Sequence, residues 1–139
     1  MSRPRDIQRL LAMIEKRTAK PFDWRGSRDC VSFAARAVKA QSGIDVLGDL
    51  RWSSRREALK LTEAEGGIAM AVDMRLKRIP EALANRGDIA GVADPKLGIR
   101  LMVVEGAMLV GPGARGLERQ PRSAMIIAWD AMSAIEART

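Results

Sequence analysis

The feature that most constrains the fold of this chain is a change of hydrophobic period at Gly87. Before it, apolar residues recur three and four positions apart; after it they come in short runs separated by glycine, proline and aspartate turns. Helices first and strands afterwards, without the alternation that builds parallel sheets, predict an α+β domain in which N-terminal helices pack on a C-terminal antiparallel sheet.

Residues 4–18 read as a first helix, with Pro4 in the opening turn and Ile7, Leu10, Leu11 and Ile14 forming an apolar stripe. Four apolar anchors without an aromatic fit packing against a core better than lying on a membrane. A loop with two large aromatics follows, Phe22 and Trp24, which either cover one end of the core or wall a cleft. Gly26 and Ser27 break that segment, and Ser27 or Asp29 caps a second helix. From there Cys30, Phe33, Ala34, Ala37, Val38 and Gln41 share one face, Arg36 and Lys39 point elsewhere, and Gly43 ends the helix. Cys30 therefore falls in the first turn, where free amides and the helix dipole favour a thiolate. Two readings of it stand: a small core residue, or a catalytic thiol or its remnant.

Ser54-x-x-Glu57 is a capping box opening a third helix that carries Ala58, Leu59 and Leu61. Gly66-Gly67 breaks it. A fourth helix is expected from about Ile68 to Arg78, with Ile68, Val72 and Leu76 on one side and Met70 and Met74 beside them as core filler. Pro80 starts a short turn through Leu83. Strands are expected at 88–93, 97–105, 107–110 and 123–130, with a turn at Asp94-Pro95-Lys96 and a glycine-rich loop at 111–116. That loop lacks the GxxxxGK[ST] order of a phosphate cradle. Trp24, Trp52 and Trp129 are expected to be buried and to stabilise the fold. The whole reads as one domain: a helix in 1–20, the cysteine helix and further helices in 21–86, strands in 87–130, and a helix-compatible tail in 131–139.

A length of 139 residues, 47% of them hydrophobic and 29% charged, is enough for a real core. One cysteine rules out an internal disulfide framework and fits a reducing compartment. No apolar run approaches the roughly 20 residues of a membrane span, and no signal core follows the basic N-terminus, so synthesis in the cytoplasm is expected. The charge is uneven: residues 1–60 hold 14 Lys and Arg against 7 Asp and Glu, and residues 61–139 hold 10 of each. Such an excess either attracts an anionic partner or solvates a helical surface.

Asp29-Cys30 followed by Phe33 and Ala34, behind Trp24-x-Gly26, resembles the nucleophile helix of NlpC-type papain-like cell-wall peptidases. The motifs that follow are Gly87-Asp88-Ile89-Ala90, Leu97-Gly98-Ile99, Gly111-Pro112, Gly116-Leu117 and Ala128-Trp129. In that order, over about residues 20 to 130, they resemble an uncharacterised family carried by phages and prophages among tail genes. The resemblance implies a papain-like minimal core with the cysteine helix on the sheet. It also implies a histidine at the start of the strand after the Gly-Asp strand, where registering Gly98 places Lys96. The chain contains no histidine at all. A papain-like route needs a base near the working pH; an exposed lysine is protonated there, and Asp29 and Asp88, close in motif terms, are too weakly basic for a thiol.

Three functions follow in order. The first is a structural or assembly component of a phage or prophage tail, built on a catalytically degenerate papain-like fold, with other tail proteins as partners and the virion tail as a destination. The second is an active cysteine amidase or endopeptidase acting on peptidoglycan, with Cys30 as nucleophile. The third is a nucleic-acid-binding module, which lacks a basic run interleaved with aromatics and ranks last. No cofactor or metal is expected.

Overall fold

The structure is a computed structural model and describes residues 4–24, 29–48 and 50–134. Gly26 and Ser27, expected to open the junction, and the tail beyond residue 134 lie outside the described residues. The element order is α1 (Ile7–Arg17), α2 (Cys30–Ser42), α3 (Arg55–Ala64), α4 (Ile68–Asp73), β1 (Lys77–Ile79), a 3-10 turn (Glu81–Leu83), β2 (Ile89–Asp94), β3 (Gly98–Val104), β4 (Met108–Gly113), β5 (Gly116–Pro121), a second 3-10 turn (Arg122–Ala124) and β6 (Met125–Asp130). The strands form one antiparallel sheet in the order β1-β6-β2-β3-β4-β5. The expected α+β arrangement is therefore present.

The helix starts follow from side chains that satisfy free amides. Asp6 caps α1 by accepting from the Arg9 amide at 3.0 Å, so Pro4 precedes the helix instead of sitting in its first turn. Ser54 caps α3 through the Glu57 amide at 3.1 Å. The Glu57 carboxylate reaches back to Ser53, not Ser54, one residue further than the capping box requires. Gly43 ends α2 with φ of 80°, a left-handed value that costs glycine nothing.

Helix α2 is the centre of the packing. Cys30, Phe33, Ala34, Ala37, Val38 and Gln41 are all buried, as their spacing predicts, against Ile89, Leu101, Val103, Val110 and Trp129 of the sheet and Leu10 and Ile14 of α1. Burying an aliphatic or aromatic side chain of this size contributes about 1.5–3 kcal/mol. A second cluster, including Val92, Met102, Val104 and Leu109, fills the other face of the sheet. Segment 18–22 runs over the β4–β5 hairpin: the Leu117 amide donates to the Thr18 carbonyl at 3.0 Å and the Phe22 amide to the Gly113 carbonyl at 2.7 Å.

Several expectations fail for identifiable reasons. Helix α4 stops at Asp73, and residues 77–79 form an unforeseen strand, because Arg78 and Ile79 pair with Trp129 and Ala128 of β6. Met70 and Met74 are consequently on the surface, 52% and 67% exposed, and fill no core. Leu11, expected in the α1 stripe, is likewise exposed, at 38%. The stretch 111–116 is not one loop: Gly111, Pro112 and Gly113 belong to β4 and Gly116 opens β5, a strand the sequence did not announce. Of the three tryptophans only Trp129 is fully buried; Trp24 and Trp52 are half-buried.

Candidate functional site

Asp29 sits in extended backbone immediately before α2 and closes its first turn. Its Oδ1 accepts from the Ser32 amide at 2.8 Å, and its Oδ2 accepts from the Ser32 hydroxyl at 2.9 Å and from Trp52 Nε1 at 3.0 Å. The carboxylate is fully buried and accepts from three donors, so it serves as a cap and as an anchor for Trp52.

Cys30 is the first residue of α2, as expected, and is also fully buried. Its thiol is pushed up to about 12, above all by burial away from water. The Leu101 backbone amide, donating to the sulfur, pulls the other way; Asp29 raises the value further, Arg100 lowers it and Asp94 raises it. At that value about one thiol in 10⁵ is ionised at pH 7, far from the low-pKa state of a working nucleophile.

The strand facing the sulfur explains why no base stands beside it. Leu97, Ile99, Leu101 and Val103 turn toward the α2 side of the sheet, whereas Met102 and Val104 belong to the other cluster. Arg100 shares that opposite parity and pairs with Glu118 at 3.2 Å. Lys96, the residue at the expected histidine position, is exposed in the turn after β2, where its amide donates to Asp94 Oδ1 at 2.9 Å. The charges acting on the thiol are those of Asp29, Arg100 and Asp94, and Lys96 is not among them.

Asp88 is placed elsewhere. Leu101 pairs with Gly91, and Asp88 lies three residues before Gly91, about 10 Å along β2 at strand rise. Its Oδ1 accepts from Arg5 Nη2 at 2.8 Å and from the Ala131 amide at 3.1 Å, and its Oδ2 from the Asn85 amide at 2.8 Å. It holds the N-terminal segment, the turn before β2 and the end of β6 together. The structure thus brings Asp29 next to Cys30 but leaves both Lys96 and Asp88 outside reach of the thiol. Sequence reasoning did not foresee the Trp52–Asp29 bond or the Leu101 amide; both depend on tertiary contacts that no local pattern encodes.

Among the described residues no group of three or more His, Cys, Asp or Glu side chains is placed to hold a metal, and no helix is long and apolar enough to cross a membrane.

A cysteine-headed helix packed on an antiparallel sheet, with helices first in the chain, is the NlpC/p60 arrangement. The chain is similar to the crystal structure of the NlpC/p60 domain of the peptidoglycan hydrolase SagA, with a TM-score of 0.55 over 90% of this chain and 98% of that one, at 17% sequence identity. At that identity the likeness establishes the fold alone. By sequence the chain belongs to the family described as Domain of unknown function (DUF6950), which matches residues 2–131. No protein of curated function matches it.

Proposed function

We propose that this chain is a catalytically inert NlpC/p60-fold domain that serves as a structural or assembly component of a phage or prophage tail. The observation that carries the inert half is the state of Cys30: buried, held protonated up to about pH 12, and faced by aliphatic side chains of β3. Papain-like chemistry requires a thiolate and a proton shuttle within about 2.6–3.2 Å of it. In a chain without histidine, Asp29 is occupied as a cap and Lys96 projects from an exposed turn. The tail half rests on the ordered short motifs between residues 20 and 130, with other tail proteins as partners and synthesis in the cytoplasm before assembly.

The enzymatic half is tested by incubating the purified protein with peptidoglycan fragments, following released peptides by mass spectrometry, and by timing alkylation of Cys30 with iodoacetamide near neutral pH. No turnover is expected, with alkylation becoming fast only on unfolding. Turnover that vanishes in Cys30→Ala, with rapid alkylation of the native thiol, restores the reading of a peptidoglycan amidase or endopeptidase. The tail half is tested by fractionating an induced lysate on a gradient. Co-sedimentation with tails or tail intermediates is expected; a chain found only as free protein contradicts it.

A further inference from the structure

Two clefts lie side by side on the flank of α2, the first reaching Val31, next to Cys30, and Leu101 of β3. The first is an apolar cavity of about 60 Å³ between α2, α3 and α4, with walls that include Val31, Ala34, Leu61, Ile68 and Val72. The two charges at its edge, Arg75 and Glu65, satisfy each other at 2.9 Å. The second is a wider cleft of about 240 Å³ edged by Arg36, Lys39 and Arg51. Both are floored by Ala35, Leu47, Leu50 and Trp52, so they form one continuous depression with an apolar end and a basic end.

Among the described residues the basic end carries three cations against one carboxylate, Asp45, whose Oδ1 already accepts from the Leu47 amide at 3.0 Å. Arg36 and Lys39 are exposed, and among the described residues neither has an ion-pair partner. Arg51 is tied down by its own loop, donating to the Gly48 and Leu50 carbonyls at 2.9 and 2.7 Å, which fixes a positive charge over the floor. Trp52 is held from behind through its bond to buried Asp29. The floor is therefore anchored to the N-terminus of α2, while the rim offers unspent positive charge.

We propose that this double cleft docks an acidic segment of a partner protein that carries an aliphatic anchor. The anchor enters the apolar cavity, and flanking carboxylates meet Arg36, Lys39 and Arg51. Desolvated aliphatic contact supplies affinity and the charged rim supplies orientation and speed of encounter. Single-stranded nucleic acid fits less well, because it needs successive aromatic platforms along a continuous basic track and this cleft has one indole and three clustered cations. Cys30 itself does not line the cleft, and the proposal goes beyond the tail reading: it stands on geometry whether or not the thiol reacts.

The test is fluorescence anisotropy with the intact protein and a fluorescein-labelled synthetic peptide of alternating glutamate and leucine. Three labelled controls accompany it: glutamate with serine, lysine with leucine, and oligothymidylate. Saturable binding of the glutamate–leucine peptide alone is expected, weakened at about 1 M salt, where the Debye length falls to ~3 Å. A double change, Arg36→Glu with Lys39→Glu, is expected to weaken it by about tenfold or more, whereas Arg9→Glu on α1 leaves it unchanged. The replaced side chains are exposed, so circular dichroism is expected to show a native fold; Arg51→Glu gives an independent check on the same rim. No saturable binding overturns the proposal. Equal losses in the Arg9 control overturn it as non-specific charge attraction, and preferential binding of oligothymidylate overturns it in favour of nucleic acid.

Discussion

Replacing Cys30 by alanine is expected to reverse the order of stability of the two proteins as pH rises. Near neutral pH the wild type is the more stable, because removing the sulfur from a fully buried site forfeits transfer energy and leaves a small cavity, together about 1 kcal/mol. The thiol, however, is harder to ionise in the folded chain, at about 12, than its ordinary value of 9.0. Between these values the unfolded state has released the proton and the folded state has kept it. The unfolded state then binds fewer protons, so stability falls with rising pH, by about 1.4 kcal/mol per unit at full slope. At about pH 10.5 the loss amounts to roughly 2 kcal/mol, which exceeds the advantage at neutral pH. Lysine and arginine titration affects both proteins alike and cancels in the difference. Urea unfolding followed by far-ultraviolet circular dichroism, under a reductant, at several pH values from about 7 to 10.5 measures it. Stability curves that stay parallel, with alanine always the weaker, would refute a buried and protonated thiol.

Asp29→Ala removes an N-cap worth about 1 kcal/mol and strands the buried Ser32 hydroxyl, a further 1–3 kcal/mol, so a loss of roughly 2–4 kcal/mol is expected by urea titration, with a red shift of tryptophan emission as Trp52 loses its partner. Gly116→Ala places a Cβ 2.4 Å from the Thr18 carbonyl oxygen at φ of 134°, and thermal unfolding is expected to reveal a loss of about 2 kcal/mol or more. Met70→Gln and Met74→Gln are expected to change stability by no more than about 0.5 kcal/mol each in the same assay, since both side chains are exposed; a large loss would mean that α4 packs more deeply.

The legible parts of this chain were those whose pattern is local and redundant. Five apolar positions on α2, with Gln41 on the same face and a glycine after Ser42, specify one helix, one buried face and one stop. The turn at Asp94-Pro95-Lys96 likewise announced an exposed lysine. What escaped was decided by distant partners. Ile68, Val72 and Leu76 continue a helical stripe past Asp73, yet pairing with β6 draws residues 77–79 into the sheet, and Asp73 instead accepts from Trp129 Nε1 at 2.7 Å. Strand β5 was hidden because an edge strand needs little apolar surface: Glu118 and Arg119 pair with Arg100 and Glu105 instead of filling a core. At the site, the helix start identified Asp29 and Cys30, but the depth of the thiol is set by β3 and the preceding segments, which share no motif with it.

The three-way hold on Asp88 has a mechanical consequence. One carboxylate joins Arg5, ahead of the first helix, to the amide of Ala131, just after the last strand. Tension applied at these two points would be taken up by Asp88 and by the further contacts of Arg5 with Asp130 and the Arg86 carbonyl before it loaded the ladder between β2 and β3. The grip is short-ranged and brittle, two hydrogen bonds at 2.8 and 3.1 Å, while the ladder behind it spans six residue pairs. Pulled at Arg5 and Ala131, the domain would yield first at this clasp, with its sheet still paired.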